Sequence, residues 1–171
     1  MLDRPLRPAT ACLLLALCGA LLPLAALALQ YLGGLAPCHL CVLQRYPYLA
    51  LIALGLIGWR FRPRLMLALA ALLLIGEAGL AAYHVGVEQG WFALPMSCLA
   101  GESASSVEEL RRMLSNAPPA CDQIAFTFLG LSLAGWNLIA ALGLALFALA
   151  AALRANAAAS VRSGRLAGRE G

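Results

Sequence analysis

Four long apolar runs constrain the fold of this chain more than any other feature of its sequence. They cover approximately residues 10–29, 43–59, 65–83 and 128–153. A helix that crosses a bilayer needs about 20 mostly apolar residues, and each run approaches or exceeds that length. Because 63% of the 171 residues are hydrophobic and only 12% are charged, the runs predict an all-α integral membrane four-helix bundle.

The arginines predict how these four helices are oriented. All twelve basic residues are arginine, and nine of them lie before the first run, between the second and third, or after the fourth. By the positive-inside rule, those segments and both chain termini are cytoplasmic. The remaining segments, approximately residues 30–42 and 84–127, are then external loops on the oxidising side, where disulfides persist.

A C-x-x-C pair, Cys38 and Cys41, opens the second apolar run directly after Pro37. Two thiols at this spacing can close a small disulfide ring. A helix that begins near Cys38 places Cys41 and Arg45 one turn apart on one face. Because the positive end of a helix and a guanidinium group both stabilise a thiolate, the pattern predicts a redox-active disulfide.

The same spacing also occurs in zinc sites and structural bridges. A structural zinc site needs four ligands, and the only other cysteines in an external loop are Cys98 and Cys121. Their long separation does not repeat the spacing of a zinc knuckle, so no metal site is predicted. Cys12 and Cys18 lie inside the first run, where they are interpreted as small apolar packing residues.

The second external loop contains one segment with helical periodicity. Ser105 and Glu108 form a capping-box pattern, and apolar residues then recur at helical spacing opposite charged ones. These apolar residues are Val107, Leu110, Met113 and Leu114. The pattern predicts a short amphipathic surface helix in the loop that carries Cys98 and Cys121.

Two titratable residues mark the third run and its end. Glu77 lies at membrane depth, where an ionisable group is by default a functional candidate; the alternative is a protonated, hydrogen-bonded core carboxyl. His84 follows seven residues later, nearly two turns along the same face. This position predicts either a hydrogen-bonding or proton-passing role beside the start of the second span, or an ordinary interfacial histidine.

Several motifs along the chain match one family. They are Cys38-His39-Leu40-Cys41 with Gln44-Arg45, Tyr83-His84, Pro95-Met96-Ser97-Cys98, Cys121, Phe128-Leu129-Gly130-Leu131-Ser132 and Trp136-Asn137. With these residues the sequence resembles the disulfide-bond-formation protein B (DsbB) family, whose members are thiol oxidases of the bacterial inner membrane. Glu77 departs from the pattern that we associate with this family.

The resemblance implies a single DsbB-like domain over residues 1–171, with its redox loops facing the periplasm, and an electron relay through two cysteine pairs. A reduced DsbA-like thioredoxin-fold partner attacks the Cys98–Cys121 disulfide, most readily at Cys98. Cys121 then attacks Cys38, which opens the Cys38–Cys41 disulfide. All four cysteines are catalytic in this relay.

The resemblance further implies a membrane quinone, ubiquinone or menaquinone, as the cofactor that takes the two electrons. Arg45 and His84 are the residues expected to bind it, with Arg45 stabilising the released Cys41 thiolate. A membrane-embedded disulfide needs such a lipid-soluble acceptor, and stabilisation of the leaving thiolate speeds thiol–disulfide exchange.

Two other classes of protein remain open. One is a quinone-coupled four-helix enzyme of the vitamin K epoxide reductase type, in which we expect the C-x-x-C near the end of the bundle sequence and not at the start of the second span. The other is a non-enzymatic membrane scaffold in which Cys38 and Cys41 bind metal, and its sign would be stoichiometric zinc in the purified protein.

Overall fold

The computed structural model describes residues 6–95, 106–108, 111 and 119–167, with side chains described as far as Ser160. It contains four helices that are long and apolar enough to cross a membrane. They are Pro8–Tyr31, His39–Arg60, Pro63–Glu88 and Leu133–Ser160. The prediction of an all-α chain with four membrane-spanning helices is therefore confirmed.

The second of these spans consists of two helical segments. The elements, in chain order, are α1 (Pro8–Tyr31), α2 (His39–Leu43), α3 (Arg45–Arg60), α4 (Pro63–Glu88), β1 (Thr127–Phe128), β2 (Leu131–Ser132) and α5 (Leu133–Ala167). The most extensive interfaces join α4 to α5 and α1 to α3, and α3 also packs on α4. The break between α2 and α3 falls at Gln44, directly after the C-x-x-C pair.

Helix α4 is longer than the predicted third span. It continues past residue 83 to Glu88 because Val87 is buried and extends the apolar face by one turn. Gly90, whose φ of +71° is in the left-handed region that glycine adopts readily, follows the end of the helix. His84 and Glu88 therefore lie on the last turns of a helix and not in the external loop.

The last span begins later than predicted, at Leu133 and not near residue 128. Residues 127–132 form a two-stranded antiparallel hairpin whose two turn residues, Leu129 and Gly130, both have positive φ. Positive φ at both turn positions matches the type I′ turn that joins short hairpins. Ser132 then starts α5, because its Oγ accepts a hydrogen bond from Gly135 N–H at 3.1 Å.

Small residues let α1 and α3 approach closely. A Cβ atom added to Gly55 would lie 2.6 Å from the backbone oxygen of Cys12 and 2.7 Å from Cβ of Ala16. One added to Gly58 would lie 2.6 Å from Cys12 Sγ. Contacts between small residues are a common way for helices to associate in lipid. Cys12 is buried in this interface, which confirms its predicted packing role.

The amphipathic helix predicted in the second loop falls mostly outside the described residues. Of that segment the structure describes only residues 106–108 and 111, and it assigns helix to Val107, Glu108 and Arg111. Cys98 also lies outside the described residues. The amphipathic helix in this loop therefore stays a prediction.

Candidate functional site

Cys38 lies at the start of the short helix α2, which carries Cys41. Its backbone is extended, and it is the N-cap residue of α2, where its Sγ accepts a hydrogen bond from Cys41 N–H at 3.2 Å. Pro37 favours this start because proline is common at the entry to a helix and cannot donate a backbone hydrogen bond. The local sequence thus holds Cys38 and Cys41 one turn apart.

The two thiols are close enough to form a disulfide with little movement. Their Sγ atoms are 2.8 Å apart, and both cysteines are free. A disulfide bond has an S–S length of about 2.05 Å, so oxidation needs a contraction of less than about 1 Å. The structure therefore describes the reduced form of a pair that is arranged for oxidation.

His84 contacts Cys38 from helix α4. Its Nδ1 lies 3.2 Å from Gln44 Oε1, and its Nε2 lies 3.5 Å from Cys38 Sγ. An amide oxygen can only accept a hydrogen bond, so Nδ1 carries the hydrogen and Nε2 of the neutral ring is an acceptor. Because His84 is only 2% exposed, this orientation is fixed, and Nε2 can take the proton of the Cys38 thiol.

These contacts favour an ionised Cys38. They lower the pKa of Cys38 below that of an ordinary thiol, first through the hydrogen bond with the Cys41 side chain and then through His84, while burial acts in the opposite direction. In the reduced pair, the described contacts stabilise a thiolate at Cys38. The prediction that Arg45 stabilises the Cys41 thiolate concerns the sulfur released during exchange and stays a prediction.

Cys121 lies beside the C-x-x-C pair although it is eighty residues away in the sequence. It is 1% exposed and packs in one buried cluster with Cys38, Leu40 and Val87, and Cys41 packs against the same cluster. Cys121 is disulfide-bonded. Three of the four predicted catalytic cysteines are therefore brought together, and the fourth, Cys98, is outside the described part of the chain.

A larger cavity opens on the other side of Cys41. Its volume is about 250 Å³, and apolar residues of α1, of the connection between α1 and α2, and of α5 form most of its wall. Cys41, Gln44, Arg45 and Tyr48 form the side contributed by the second span. His84 does not line this cavity, so of the two residues predicted to bind a cofactor only Arg45 faces it.

Three buried polar atoms belong to residues that line this cavity and have no hydrogen-bond partner among the described residues. They are Gln30 Oε1, Gln44 Nε2 and Arg45 Nε. A buried polar atom without a partner costs about 1–3 kcal/mol, so a ligand or an ordered water that pairs with these atoms is favoured here. Gln44 and Arg45 offer N–H donors beside an apolar space, which suits a flat apolar ring that carries carbonyl oxygens.

A buried hydrogen-bonded chain reaches the cavity from the middle of the bundle. Tyr48 O–H donates to Asn137 Oδ1 at 2.6 Å, and Asn137 Nδ2 donates to Glu77 Oε1 at 2.7 Å. Glu77 is 1% exposed. The burial and the Oε1 hydrogen bond agree with the alternative of a hydrogen-bonded core carboxyl, although Oε2 has no partner among the described residues. The protonation of Glu77 stays a prediction. Tyr48 and Asn137 both line the cavity, so Glu77 holds two of its wall residues in place.

Glutamine at position 77 should leave the stability of the fold nearly unchanged, whereas alanine should lower it. Glu77→Gln keeps the shape and the oxygen that accepts from Asn137, so we expect a change in unfolding free energy below about 1 kcal/mol. Glu77→Ala leaves the Asn137 amide unpaired and opens a cavity, and should cost about 2 kcal/mol. Unfolding of both variants in detergent micelles measures this. Equal destabilisation by the two substitutions would mean that the carboxylate charge, and not the hydrogen bond, is required.

Some residues of the site carry little signal in the sequence. Asn137 reads as a packing residue inside an apolar run, and Gln44 is notable only because it sits between Cys41 and Arg45. Glu88 is close to His84 because the two are four residues apart on α4, with Glu88 Oε1 4.0 Å from His84 Nε2. The hydrophobic pattern predicts Glu88 in a loop, so its place in the site follows only from the length of α4.

A protein-family comparison matches nearly the whole described chain. The family model for "Disulfide bond formation protein DsbB" matches residues 8–151. That range includes both cysteine pairs and every residue of the cavity and of the buried chain described above. It ends inside α5.

Individual relatives agree with the family match. The chain is 33% identical over 150 residues to a disulfide bond formation protein B of Aromatoleum aromaticum, covering 80% of this chain and 86% of that protein. It is 35% identical over 149 residues to that of Herminiimonas arsenicoxydans, covering 81% and 91%. It is 33% identical over 138 residues to that of Xanthomonas oryzae pv. oryzae, covering 72% and 77%. No solved structure matches the chain significantly.

Proposed function

Because this chain belongs to the DsbB family of disulfide bond formation proteins, we propose that it is a quinone-reducing protein-disulfide oxidoreductase of the bacterial inner membrane. It reoxidises a periplasmic DsbA-like dithiol protein of thioredoxin fold. The observation that carries this proposal is that Cys121 is buried in one cluster with Cys38, while Cys41 lines an apolar cavity with unpaired donors.

The first exchange takes place at a disulfide between Cys98 and Cys121. The pairing is supported by counting, since the chain has six cysteines, four of them are free and Cys121 is disulfide-bonded. A thiolate of the partner attacks Cys98, forms a mixed disulfide and releases the Cys121 thiolate. The second thiol of the partner then displaces Cys98, so the partner leaves with its own disulfide and both loop cysteines are reduced.

The second exchange transfers the oxidising equivalent from the C-x-x-C pair. The Cys121 thiolate attacks Cys38 and releases Cys41, and Cys98 then attacks Cys121 and releases Cys38. This restores the Cys98–Cys121 disulfide and leaves a Cys38/Cys41 dithiol. Burial of Cys121 and Cys38 in one cluster supports this order, because exchange needs direct contact between the attacking and attacked sulfur atoms.

The last step returns Cys38 and Cys41 to a disulfide. A quinone bound in the larger cavity supplies an acceptor for the two electrons and two protons that the dithiol gives up. Arg45 and Gln44 provide the donors that hold its oxygens, and Cys41 provides the thiol that lines the same space. His84 accepts the Cys38 proton at Nε2 and is held in the required orientation by Gln44.

The test of this function is quinone reduction by a reduced thiol partner. The protein in detergent, mixed with a reduced DsbA-like protein and a short-tailed quinone, should consume one quinone for each partner disulfide formed. Without quinone, oxidation should stop after at most two partner molecules per protein, one for each of its disulfides. Partner oxidation that continues without quinone, or no quinone loss, would contradict the proposal.

Membership of the DsbB family argues against the vitamin K epoxide reductase type.

Single cysteines introduced on opposite sides of the membrane should reveal the orientation of the chain. In a cysteine-free background, Val107→Cys is predicted to react with a membrane-impermeant thiol reagent added to the periplasmic face of intact cells. Phe61→Cys, the control between α3 and α4, should react only after the inner face is opened. Both native side chains are highly exposed, at 76% and 63%. The same reagent should reach Cys98 or Cys121 of the reduced native protein. The reverse pattern would overturn the orientation derived from the arginines.

A further inference from the structure

A second, smaller cavity lies between the C-x-x-C pair and the end of α4. Its volume is about 30 Å³, and Cys38, Cys41, His84 and Glu88 all line it. The donor atoms of Cys38, Cys41 and His84 lie within 4.8 Å of one another. This space is about as large as one water molecule and too small for a quinone ring. The redox mechanism above uses the sulfur atoms and His84 but gives this enclosed space no role.

The spacing of these donors resembles that of a tetrahedral zinc site. With Zn–S near 2.3 Å and Zn–N near 2.0–2.1 Å, a tetrahedral site has about 3.8 Å between two sulfurs and about 3.6 Å between sulfur and nitrogen. Cys38 Sγ and His84 Nε2 are already 3.5 Å apart. The two sulfurs are 2.8 Å apart, so they need to separate by about 1 Å.

The surrounding hydrogen bonds orient His84 and Glu88 in the way that metal-binding side chains are usually oriented. A histidine that ligates a metal usually donates its other ring N–H to a carbonyl or carboxylate oxygen. His84 Nδ1 does this with Gln44 Oε1, which leaves Nε2 directed at Cys38. Glu88 is held in the same way, since Ser132 Oγ donates to Glu88 Oε2 and leaves Oε1 near His84.

From this geometry we infer that the reduced protein captures one thiophilic cation, Zn²⁺, between Cys38, Cys41 and His84, with Glu88 as the fourth ligand. Binding displaces the thiol protons and forms two metal–thiolate bonds. While zinc is bound, neither sulfur is free to return to the disulfide. Excess zinc therefore holds the protein in its reduced state, and removal of zinc releases it unchanged.

The binding test uses the full chain in detergent, reduced and then freed of reductant without oxygen. After gel filtration with Zn²⁺, the Cys98→Ser/Cys121→Ser protein should retain one zinc per molecule, because its only remaining external thiols are Cys38 and Cys41. The same protein with the Cys38–Cys41 disulfide closed should retain none. This control needs no further substitution and so does not depend on how a variant folds.

The ligand set is tested with Co²⁺ and with His84 and Glu88 variants. Co²⁺ should give the thiolate charge-transfer absorption of two bound sulfurs and the intense visible bands of a tetrahedral site. His84→Gln should weaken zinc binding by at least about 10-fold, and Glu88→Gln should weaken it less. Zinc retention that is equal in the reduced and oxidised protein, or unaffected by His84→Gln, would overturn the site.

A third measurement links zinc binding to the thiols without requiring turnover. Zinc should slow alkylation of Cys38 and Cys41 in the reduced Cys98→Ser/Cys121→Ser protein by about 10-fold or more, and a chelator should restore the original rate. Unchanged alkylation in saturating zinc would contradict the inference. Because none of these readouts uses quinone or a partner protein, they are independent of the proposed oxidase activity.

Discussion

Serine in place of any one of Cys38, Cys41, Cys98 or Cys121 should lower turnover with reduced partner and quinone by about three orders of magnitude or more. Each of these sulfur atoms takes part in at least one exchange step of every cycle, and a hydroxyl cannot replace a sulfur in thiol–disulfide exchange. The measurement is steady-state quinone loss in the presence of a reduced DsbA-like protein.

The two remaining cysteines provide the control for these substitutions. Cys12 is buried between α1 and α3 and Cys18 is half-buried in α1, and neither lines either cavity of the site. Cys12→Ala should cost about 1 kcal/mol of stability through lost packing but leave turnover nearly unchanged. Cys18→Ala should change neither stability nor turnover. Full partner oxidation by the Cys98→Ser or the Cys121→Ser protein would rule out a relay through two pairs.

Loss of Arg45 should slow the quinone step while leaving the partner step nearly intact. Arg45 lines the larger cavity with Cys41, and its buried Nε has no hydrogen-bond partner among the described residues. A hydrogen bond to a group that gains negative charge is worth about 1.5–3 kcal/mol. Arg45→Leu should therefore reduce quinone turnover by roughly 10- to 100-fold and raise the quinone requirement, yet leave formation of the Cys98 mixed disulfide nearly unchanged.

Two variants make the Arg45 result specific. Arg45→Lys should restore only part of the rate, because lysine keeps the charge but loses the planar donor group. Arg60→Leu removes an arginine from the opposite end of the same helix, away from the cavity, and should leave quinone kinetics unchanged. Quinone kinetics that are normal in Arg45→Leu would mean that the side chain is only an interfacial anchor.

The hydrophobic pattern predicts the number of helices better than their ends. Four apolar runs can bury their backbones in lipid only as helices, so the fold class follows from the sequence. Phe128 to Leu131 are apolar enough to extend the last run, but Leu129 and Gly130 both adopt positive φ and form a turn. Such a backbone conformation at a leucine leaves no mark in hydropathy.

The site is predictable where its residues are neighbours in the sequence. Cys38, Cys41 and Arg45 follow from spacing along one helix. The buried cluster that contains Cys121 and Cys38, and the hydrogen bond between Glu77 and Asn137, join segments that lie sixty to more than eighty residues apart. No periodicity encodes such pairings, because they depend on how the helices pack. For the same reason, the sequence does not predict that His84 contacts Cys38 while Arg45 lines the larger cavity with Cys41.

For the quinone of the proposed function, the size of the larger cavity limits which part of the molecule the protein encloses. At about 250 Å³, it is slightly smaller than the roughly 300–1,000 Å³ of pockets that enclose drug-sized ligands. One ring with its carbonyl oxygens fits there, but a long isoprenoid tail does not. The tail then extends among the lipid chains, where its length adds nothing to recognition. Under the proposed function, a bacterium that lengthens the tails of its quinone pool therefore needs no matching change in this protein.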